Sequence, residues 1–284
     1  MTISPLSDAE YDQAWPDGAV IDLTQVRRAL IHDGTRRRQP VSVGTTLDLV
    51  IPAFNEELRI GRTIDALGEL IVAEGLPVRL VVVDNGSVDG TAAVVDARSG
   101  QGVELELISC NRRGKGAAVR AGILHSSAPF VGYCDADLPV PAESLCWAVD
   151  LLNSGWEAVI GSRRCSGASY SVTQPLSRRL GSTAFRLASA DLRGPIRDTQ
   201  CGFKFFSRPL AQRLVRDLTV QGFAFDVELL ARARHQTGRL IELPISWSDQ
   251  PGSSFRAAVD GIRAFHELHV ARRNIRRWRK DART

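Results

Sequence analysis

Two carboxylates lie one residue apart, directly after an apolar segment of the chain. Asp135 and Asp137 follow the run FVGYC at 130–134, which is typical of a buried strand. Like charges this close repel each other, and a turn does not need both. Because residues i and i+2 of an extended or turning segment can face the same side, the pair can bind one hard cation such as Mg²⁺ or Mn²⁺. The alternative is an exposed acidic turn that binds nothing.

Polar or glycine-rich segments follow three earlier apolar runs as well; they occupy residues 52–56, 84–87 and 111–116. The second segment, DNGS, predicts a turn with a positive φ at Gly86, and the carboxylate of Asp84 could also accept a hydrogen bond from a nucleobase. The third opens a helix with GKG, where glycines let the backbone approach a phosphate, the helix N-terminus favours anions and Lys115 adds a charge. Each turn alone has a structural explanation, but the four together indicate a site for a nucleotide and a metal ion.

The hydrophobic pattern from residue 47 onward alternates between strands and helices. Runs rich in β-branched residues predict strands, and apolar residues three and four positions apart predict helices. The predicted strands lie at 47–52, 78–83, 103–109, 130–134, 157–161, near 203 and at 239–243, and the predicted helices at 56–73, 89–97, 113–127, 174–190, 225–235 and 253–280. This order indicates an α/β fold with a mostly parallel central sheet flanked by helices. Ligands bind at the carboxyl ends of such strands, where all four polar segments would lie.

We find no internal repeat, low-complexity tract or linker in the 284 residues, which suffice for one large α/β domain. The sequence predicts an N-terminal extension at 1–45 with one short helix at 23–32, a main domain at 46–252 and a basic amphipathic helix at 253–284. The five cysteines are widely spaced and form no metal-binding pattern, which predicts reduced and mostly buried thiols.

The positive charge of the chain is concentrated at its C-terminal end. The net charge is +4, whereas residues 271–284 hold seven arginines and lysines against one aspartate, a net charge of +6. A nucleic-acid-binding protein would spread its positive charge over a face, so we expect no nucleic acid partner. The lack of a secretory signal and of an apolar run of about 18 residues predicts a cytoplasmic protein. The basic terminal helix suits peripheral contact with the inner face of the membrane, and a core-packed helix is the other interpretation.

Several segments together resemble a known enzyme family. LDLVIPAFNEE, VVVDNGSVDGT, NRRGKGAAVRAG and DADL, in this order, resemble family 2 glycosyltransferases of the GT-A fold, a Rossmann-like α/β fold. The second half of the chain, with IRDTQCGFK at 196–204 and FAFDVELL at 223–230, resembles the polyprenyl-phosphate (dolichyl-phosphate) glucosyl and mannosyl synthases, and the glucosyl branch fits best. The resemblance covers residues 47–263.

The resemblance implies a role for specific residues. The nucleotide-binding residues would be Pro52, Ala53, Asn55, Glu56, Asp84, Gly86, Ser87, Lys115, Asp135, Ala136 and Asp137. The metal ligands would be Asp135 and Asp137, and the residues that hold the acceptor phosphate would be Ser162, Arg163, Arg178 and Ser182. The residues that act in catalysis would be Asp135, Asp137, Arg163, Arg178 and Gln200, with Gln200 near the transferred sugar. The chain departs from many relatives at Asn85, where they carry aspartate, and at Ser253-Ser254, where they carry serine and a basic residue for which Arg256 could substitute.

The resulting hypothesis is an inverting glycosyltransferase that moves a hexose from a nucleotide sugar, with UDP-glucose favoured, to a polyprenyl phosphate. A phosphate acceptor is already ionised and needs little help from a general base. An alcohol acceptor would need a general base, and Asp198 and Asp226 are the candidates for that role. A soluble metabolite or natural product as acceptor, with another UDP- or GDP-sugar, is the alternative. Two other classes of protein are a nucleotidyltransferase and a non-catalytic nucleotide-binding module. A nucleotidyltransferase would normally show a glycine-rich basic loop after the first strand. A nucleotide-binding module would bind a nucleotide sugar without turning it over.

Overall fold

A computed structural model describes residues 45–138, 140–165, 168–170, 176–247 and 257–281. The predicted helix at 23–32, nearly all of the predicted N-terminal extension and residues 253–256 lie outside these ranges. The strands are β1 (Leu47–Ala53), β2 (Val78–Asp84), β3 (Leu105–Ser109), β4 (Phe130–Cys134), β5 (Ala158–Ser162), β6 (Ser169–Tyr170), β7 (Phe203–Ser207), β8 (Leu240–Pro244) and β9 (Ser246–Trp247). The helices are α1 (Ile60–Ala73), α2 (Thr91–Asp96), α3 (Lys115–His125), α4 (Ser144–Asn153), α5 (Leu176–Ala188), α6 (Ala190–Arg193), α7 (Arg208–Arg216), α8 (Phe225–Gln236) and α9 (Ala257–Asp281).

Seven of these strands form one sheet in the order β3-β2-β1-β4-β7-β5-β8. Neighbouring strands are parallel except at β7, which is antiparallel to both β4 and β5. The predicted α/β fold with a mostly parallel sheet is confirmed. The chain builds from β1 through β2 to β3 and then places β4 on the other side of β1. Open α/β sheets bind ligands in the crevice where the strand order reverses in this way, which here lies between β1 and β4.

The direction of β7 decides which turn reaches that crevice. Cys134, the last residue of β4, pairs with Phe203, the first residue of β7. The turn that precedes β7 therefore lies at the same edge as the turn that follows β4. Strand β5 is also antiparallel to β7, so its carboxyl end, at Ser162, points to this edge as well.

Both faces of the central strands are buried, which accounts for their uninterrupted apolar sequences. Along β1, Val50 packs on one side with Val119 of α3, whereas Leu49 and Ile51 pack on the other side with Ile64 of α1. Burying such a side chain stabilises the fold by about 1.5–3 kcal/mol relative to leaving it exposed. None of the five cysteines, all of which lie in the described residues, forms a disulfide, and four are buried, as predicted.

Helices α1 and α3 both begin later than the sequence predicts. Helix α1 begins at Ile60 because Asn55 has a φ of +56° and the backbone N–H of Glu56 donates to Oγ1 of Thr91 at 2.8 Å. Helix α3 begins at Lys115 because the preceding glycine, Gly114, has a φ of +122°. At the start of α1, a contact with a distant segment overrides the local helical pattern.

The terminal helix α9 is packed into the fold, in agreement with the second interpretation of its sequence. Leu268, Ala271 and Ile275 are buried in the same apolar cluster as the residues of α8. Glu267 accepts a hydrogen bond from the backbone N–H of Ala224 at the start of α8, at 3.1 Å. Within the described residues, no helix combines the length and the hydropathy that a membrane span requires.

Asp48 is a fully buried carboxylate near the start of β1, at the edge opposite the crevice. It accepts hydrogen bonds from Nε of Arg79 at 2.8 Å, from Oγ of Ser126 at 2.5 Å and from the backbone of Ser127 and Ala128 at 2.9 and 3.1 Å. Burial alone would raise the pKa of Asp48, but the hydrogen bonds from Arg79 and Ser126 outweigh it and hold the pKa below its usual value.

We expect Asp48→Asn to lower the free energy of unfolding by about 2 kcal/mol near neutral pH, because an amide cannot replace the charge-assisted hydrogen bonds. A depressed pKa stabilises the native state above the unfolded value of 3.8, and this stabilisation is lost as the pH falls through the native pKa. The difference between wild type and variant should therefore shrink in acid, as measured by urea denaturation at several pH values. Asp65→Asn, which breaks the exposed pair with Arg98, is the control and should cost less than about 1 kcal/mol; equal losses would contradict the prediction.

Candidate active site

The loops that follow β1 and β2 are bound to each other at the crevice. The backbone N–H of Asn55 donates to Oγ of Ser87, and Oδ1 of Asn55 accepts from the backbone of Val88, both at 3.0 Å. Asp84 accepts from the backbone of Ser87 at 3.1 Å, and Gly86 has the predicted positive φ, +80°. The structure thus brings together the proposed nucleotide-binding residues of both loops, including Pro52 and Ala53, the last residues of β1.

Asn85 joins this pair of loops to the loop that follows β3. Its amide nitrogen donates to the carbonyls of Cys110 and Arg112, at 3.1 and 2.6 Å, and its Oδ1 accepts from the backbone of Gly114 at 2.8 Å. A carboxylate could accept the last bond but could not donate the other two. The amide at this position, where many relatives carry aspartate, is therefore matched to its surroundings.

Lys115, the first residue of α3, supplies part of the positive charge that the paired carboxylates require. Its Nζ forms an ion pair with Oδ1 of Asp135. Burial would lower the pKa of Lys115, but the carboxylates of Asp135 and Asp226 raise it well above its usual value, so the side chain is a cation at any physiological pH. Lys115, which the resemblance places among the nucleotide-binding residues, thus lies beside the acidic pair.

The crevice still contains more negative than positive charge. Burial, and then the charge of Asp135, raises the pKa of Asp137. Burial also raises the pKa of Glu56, and the charges of Asp137 and Asp135 raise it further, although Arg59 pairs with Glu56 at 2.6 Å. Both shifts mean that the ionised carboxylates are unfavourable here without a further cation.

This excess of carboxylate charge fits a divalent cation. The pair lies in a turn in which Oγ1 of Thr63 donates to the carbonyl of Ala136 at 2.7 Å, and Leu138 has a φ of +37°. In the described part of the chain, no three His, Cys, Asp or Glu side chains converge on one point. The residues present therefore suit an ion such as Mg²⁺ or Mn²⁺ that is held by two carboxylates and completed by water and substrate phosphates.

Gly202 in the turn before β7 packs directly against Asp135. The backbone N–H of Asp135 donates to the carbonyl of Gly202 at 3.0 Å, and a Cβ at Gly202 would lie 2.0 Å from Oδ2 of Asp135. Only glycine leaves room for the carboxylate in this position. The surrounding motif, IRDTQCGFK, is recognisable in the sequence, but this role of Gly202 is not.

On the other side of the turn, Arg163 is held by Asp198. Its Nε and one terminal nitrogen donate to the two carboxylate oxygens at 2.7 and 2.9 Å, and its backbone N–H donates to Oδ2 at 3.0 Å. Burial would raise the pKa of Asp198, but the charge and the hydrogen bonds of Arg163 lower it to about 2. The backbone of Gln200 donates to the same carboxylate at 3.1 Å, and Nε2 of Gln200 is a buried donor without a hydrogen-bond partner among the described residues.

Of the remaining predicted acceptor residues, one lies next to Arg163 and two lie on α5. Ser162 is fully buried at the end of β5, next to Arg163, and Ser182 is exposed on α5. Arg178 lies on the same helix, and its side chain is outside the described residues. The two candidate bases are both engaged, since Asp198 holds Arg163 and Asp226 pairs with Lys204 at 2.5 Å.

Sequence analysis did not identify Lys204 and Glu242 as parts of the site. Both are fully buried, and each is a charged residue within an apolar strand, in FKFFS and LIELP, which is the signal that could have identified them. Glu242 accepts hydrogen bonds from the backbone of Arg197 and Asp198 at 3.1 and 3.0 Å and so fixes the turn that carries Asp198. Burial raises the pKa of Glu242.

The sequence profile described as Glycosyl transferase family 2 matches residues 48–215, which is more than half of the chain. The chain belongs to glycosyl transferase family 2. It is therefore a glycosyltransferase, and the crevice that contains the paired carboxylates is the candidate active site of this family 2 enzyme.

Curated relatives and solved structures agree with this assignment. A dolichyl-phosphate β-glucosyltransferase of Trichomonas vaginalis is 35% identical over 225 residues, which are 74% of this chain and 65% of that protein. The Saccharomyces cerevisiae dolichyl-phosphate β-glucosyltransferase is 30% identical over 247 residues, which are 80% of this chain and 74% of that protein. The chain thus spans about two thirds to three quarters of the length of these relatives.

A crystal structure of glucosyl-3-phosphoglycerate synthase from Mycobacterium tuberculosis, in complex with Mn²⁺ and UDP-glucose, superposes with a TM-score of 0.61 and 20% identity. The match covers 80% of this chain and 79% of that one. At this identity the likeness establishes the shared GT-A fold.

We expect Gly202→Ala to weaken the binding of Mn²⁺ with UDP by at least about tenfold, because the added methyl group would displace the carboxylate of Asp135. Titration calorimetry measures this affinity, and circular dichroism checks the fold. Gly181→Ala is the matched control, since a Cβ there meets nothing within 4 Å. An unchanged affinity in Gly202→Ala would show that Asp135 does not contribute to this site.

Proposed function

We propose that this family 2 enzyme is an inverting transferase that moves glucose from UDP-glucose to the phosphate of a polyprenyl lipid. The observation that carries the proposal is the partly buried pair Asp135 and Asp137 at the β1–β4 crevice, with more carboxylate charge than the adjacent cations offset. A divalent cation held by this pair offsets the excess carboxylate charge and in turn attracts the diphosphate of a nucleotide sugar, whereas a neutral ligand would have no such partner.

The nucleoside would lie on the bonded loops after β1 and β2. Asp84 is free to accept a hydrogen bond from the base on the oxygen that Ser87 does not use, and Asn55 and Gly86 shape the loop around it. Ala53 is buried, so it would contact the nucleoside through its backbone. The Mn²⁺ and UDP-glucose in the crystal structure of the Mycobacterium tuberculosis synthase support this choice of donor.

The diphosphate would lie between Lys115 and the carboxylate pair. When bound, Mg²⁺ or Mn²⁺ would neutralise the charge that develops on the leaving diphosphate. Lys115 would donate to a phosphate oxygen at the start of α3, where the backbone N–H groups also favour an anion. Asp135 and Asp137 would hold the cation, and Ala136 would fix their spacing in the turn.

The acceptor site would lie on the side of Arg163. A phosphate is already ionised at neutral pH and can attack the sugar without a base. This matches the engagement of both candidate bases in ion pairs, Asp198 with Arg163 and Asp226 with Lys204. Arg163 and Arg178 would bind the acceptor phosphate, with Ser162 and Ser182 beside them, and Gln200 would direct its unpaired amide group toward the sugar. The similarity to proteins named dolichyl-phosphate β-glucosyltransferases supports this acceptor class.

We expect purified protein to transfer radiolabelled glucose from UDP-glucose to undecaprenyl or dolichyl phosphate in the presence of Mn²⁺ or Mg²⁺. Asp137→Asn should lower the rate at least about 100-fold, because the cation loses one of its two protein ligands. Asp96→Asn, at an exposed position of α2, is the matched control. Label found only in a water-soluble product would contradict the lipid acceptor, and faster transfer from a GDP-sugar would contradict the donor.

We also infer peripheral contact with the inner, anionic face of the membrane, through the outer side of α9. Since Leu268, Ala271 and Ile275 of this helix are buried, the contact would rest on an exposed stripe, which consists of Phe265, His266, His269, Arg273, Arg276, Arg277 and Lys280. Leu187 on α5 is 64% exposed, and α5 contacts α9 through an edge-to-face pair of Phe185 and Phe265. Each basic residue near such a surface contributes about 1 kcal/mol to binding.

We expect replacement of Arg273, Arg276 and Arg277 by Gln to weaken binding to phosphatidylglycerol-containing vesicles at least about tenfold, as measured by co-sedimentation. The control removes the same number of charges elsewhere, through replacement of Arg62, Arg213 and Arg216 by Gln. Both triple variants should keep the UDP affinity of the wild type. Equal vesicle binding by the two triple variants would remove the stripe from the proposal.

A further inference from the structure

A buried charge cluster beside the carboxylate pair has no part in the chemistry proposed so far. It consists of Lys204 on β7, Asp226 on α8 and Tyr133 on β4, and none of the three is more than 3% exposed. Nζ of Lys204 donates to Oδ1 of Asp226 at 2.5 Å and to the carbonyl of Cys201, and the hydroxyl of Tyr133 donates to the same Oδ1. The ammonium lies 5.3 Å from the centre of the Tyr133 ring.

This cluster connects the segments that form the two sides of the donor site. On one side, Cys201 directly precedes Gly202, which packs against Asp135. On the other side, Asp226 directly follows Phe225, which packs on Gly116, the residue after Lys115. A Cβ added at Gly116 would lie 2.7 Å from the Cβ of Phe225. Lys204 therefore contacts both the turn that supports Asp135 and the helix that packs on the Lys115 segment.

The cluster also bears on the charge balance around Lys115. Asp135 pairs with Lys115, and Asp226 lies in the first turn of α8, directly after Phe225, which packs on Gly116 beside Lys115. Asp226 is thus a second carboxylate that could attract Lys115. In the structure Lys204 pairs with Asp226, and Lys115 pairs with Asp135. Buried ion pairs bring little net stability in general, so stability alone does not explain the retention of this one.

We propose that Lys204 is a positioning residue for the donor site: its buried ammonium neutralises Asp226 and so keeps Lys115 directed to Asp135 and to the donor diphosphate. The proposal rests on the proposed function, in which Lys115 binds that diphosphate. Without Lys204, Asp226 becomes a buried carboxylate in need of a cation, and Lys115 is the cation drawn to it.

The test is a charge-compensation experiment on binding, which needs neither acceptor nor turnover. Titration calorimetry measures the affinity of UDP, and in parallel of inorganic pyrophosphate, in the presence of Mn²⁺. Lys204→Met should weaken both affinities at least about tenfold, because Lys115 is drawn from the diphosphate. The double variant Lys204→Met with Asp226→Asn should restore both to within about threefold of the wild type, because a neutral amide no longer attracts Lys115 and can still accept from Tyr133.

Arg232→Met is the matched control. It breaks another buried ion pair on α8, between Arg232 and Glu228 at 2.7 Å, whose side chains are 3% and 0% exposed. This variant should lower the thermal midpoint as Lys204→Met does but leave the affinity for UDP unchanged. An equal loss of affinity in Arg232→Met would mean that general destabilisation is the cause and would overturn the proposal.

Two other results would overturn it as well: an unchanged affinity in Lys204→Met, or a loss that Asp226→Asn does not reverse. If Lys204→Met does not fold, Tyr133→Phe is the milder perturbation, since it removes the hydroxyl that donates to Asp226. It should weaken both affinities about threefold, and no change would then contradict the proposal. A wild type that binds pyrophosphate but not UDP would contradict the proposed donor, while the pyrophosphate comparison would still test Lys204.

Discussion

The excess of carboxylates at the β1–β4 crevice is the constraint on which the rest of the site depends. Burial, followed by repulsion from neighbouring carboxylates, raises the pKa of both Glu56 and Asp137. Arg59 offsets part of this charge through its ion pair with Glu56, and Lys115 does so through its ion pair with Asp135. An arrangement of this kind is unfavourable by itself and becomes favourable with a divalent cation, so the fold accepts a local cost in stability in return for affinity. The buried apolar residues of the central strands provide the stability that tolerates it.

The half of the site that we propose for the donor could be located from the sequence because its information is local. Apolar runs mark the strands, and in a parallel sheet the residues that follow each strand meet at one edge. The positive φ of Gly86 and the position of Lys115 at a helix start were predicted for the same reason. The start of α1 was predicted wrongly, since it depends on the hydrogen bond between Glu56 and Thr91, which are 35 residues apart.

Pairings of buried charges could not be predicted, because one sequence does not show which charges meet. Arg163 and Asp198 are 35 residues apart, and Lys204 and Asp226 are 22 apart. What the sequence does show is the type of position. A lysine in the apolar strand FKFFS cannot reach water from the middle of a sheet, so its presence indicates a buried acidic partner. Reading apolar strands for such exceptions would have identified Lys204 without identifying Asp226.

The antiparallel direction of β7 joins the two halves of the site. A parallel strand at this place would bring the residues after it to the crevice and leave the turn at 199–202 on the opposite edge. Because Phe203 pairs with Cys134, Gly202 instead packs on Asp135, and Asp198 can hold Arg163 at the same edge. Lys204, one residue into the strand, then points its ammonium back to the carbonyl of Cys201 and to Asp226. One reversal of strand direction thus places the residue that supports the proposed cation ligand, the aspartate that holds the proposed acceptor arginine, and the buried lysine within one segment of nine residues, 196–204.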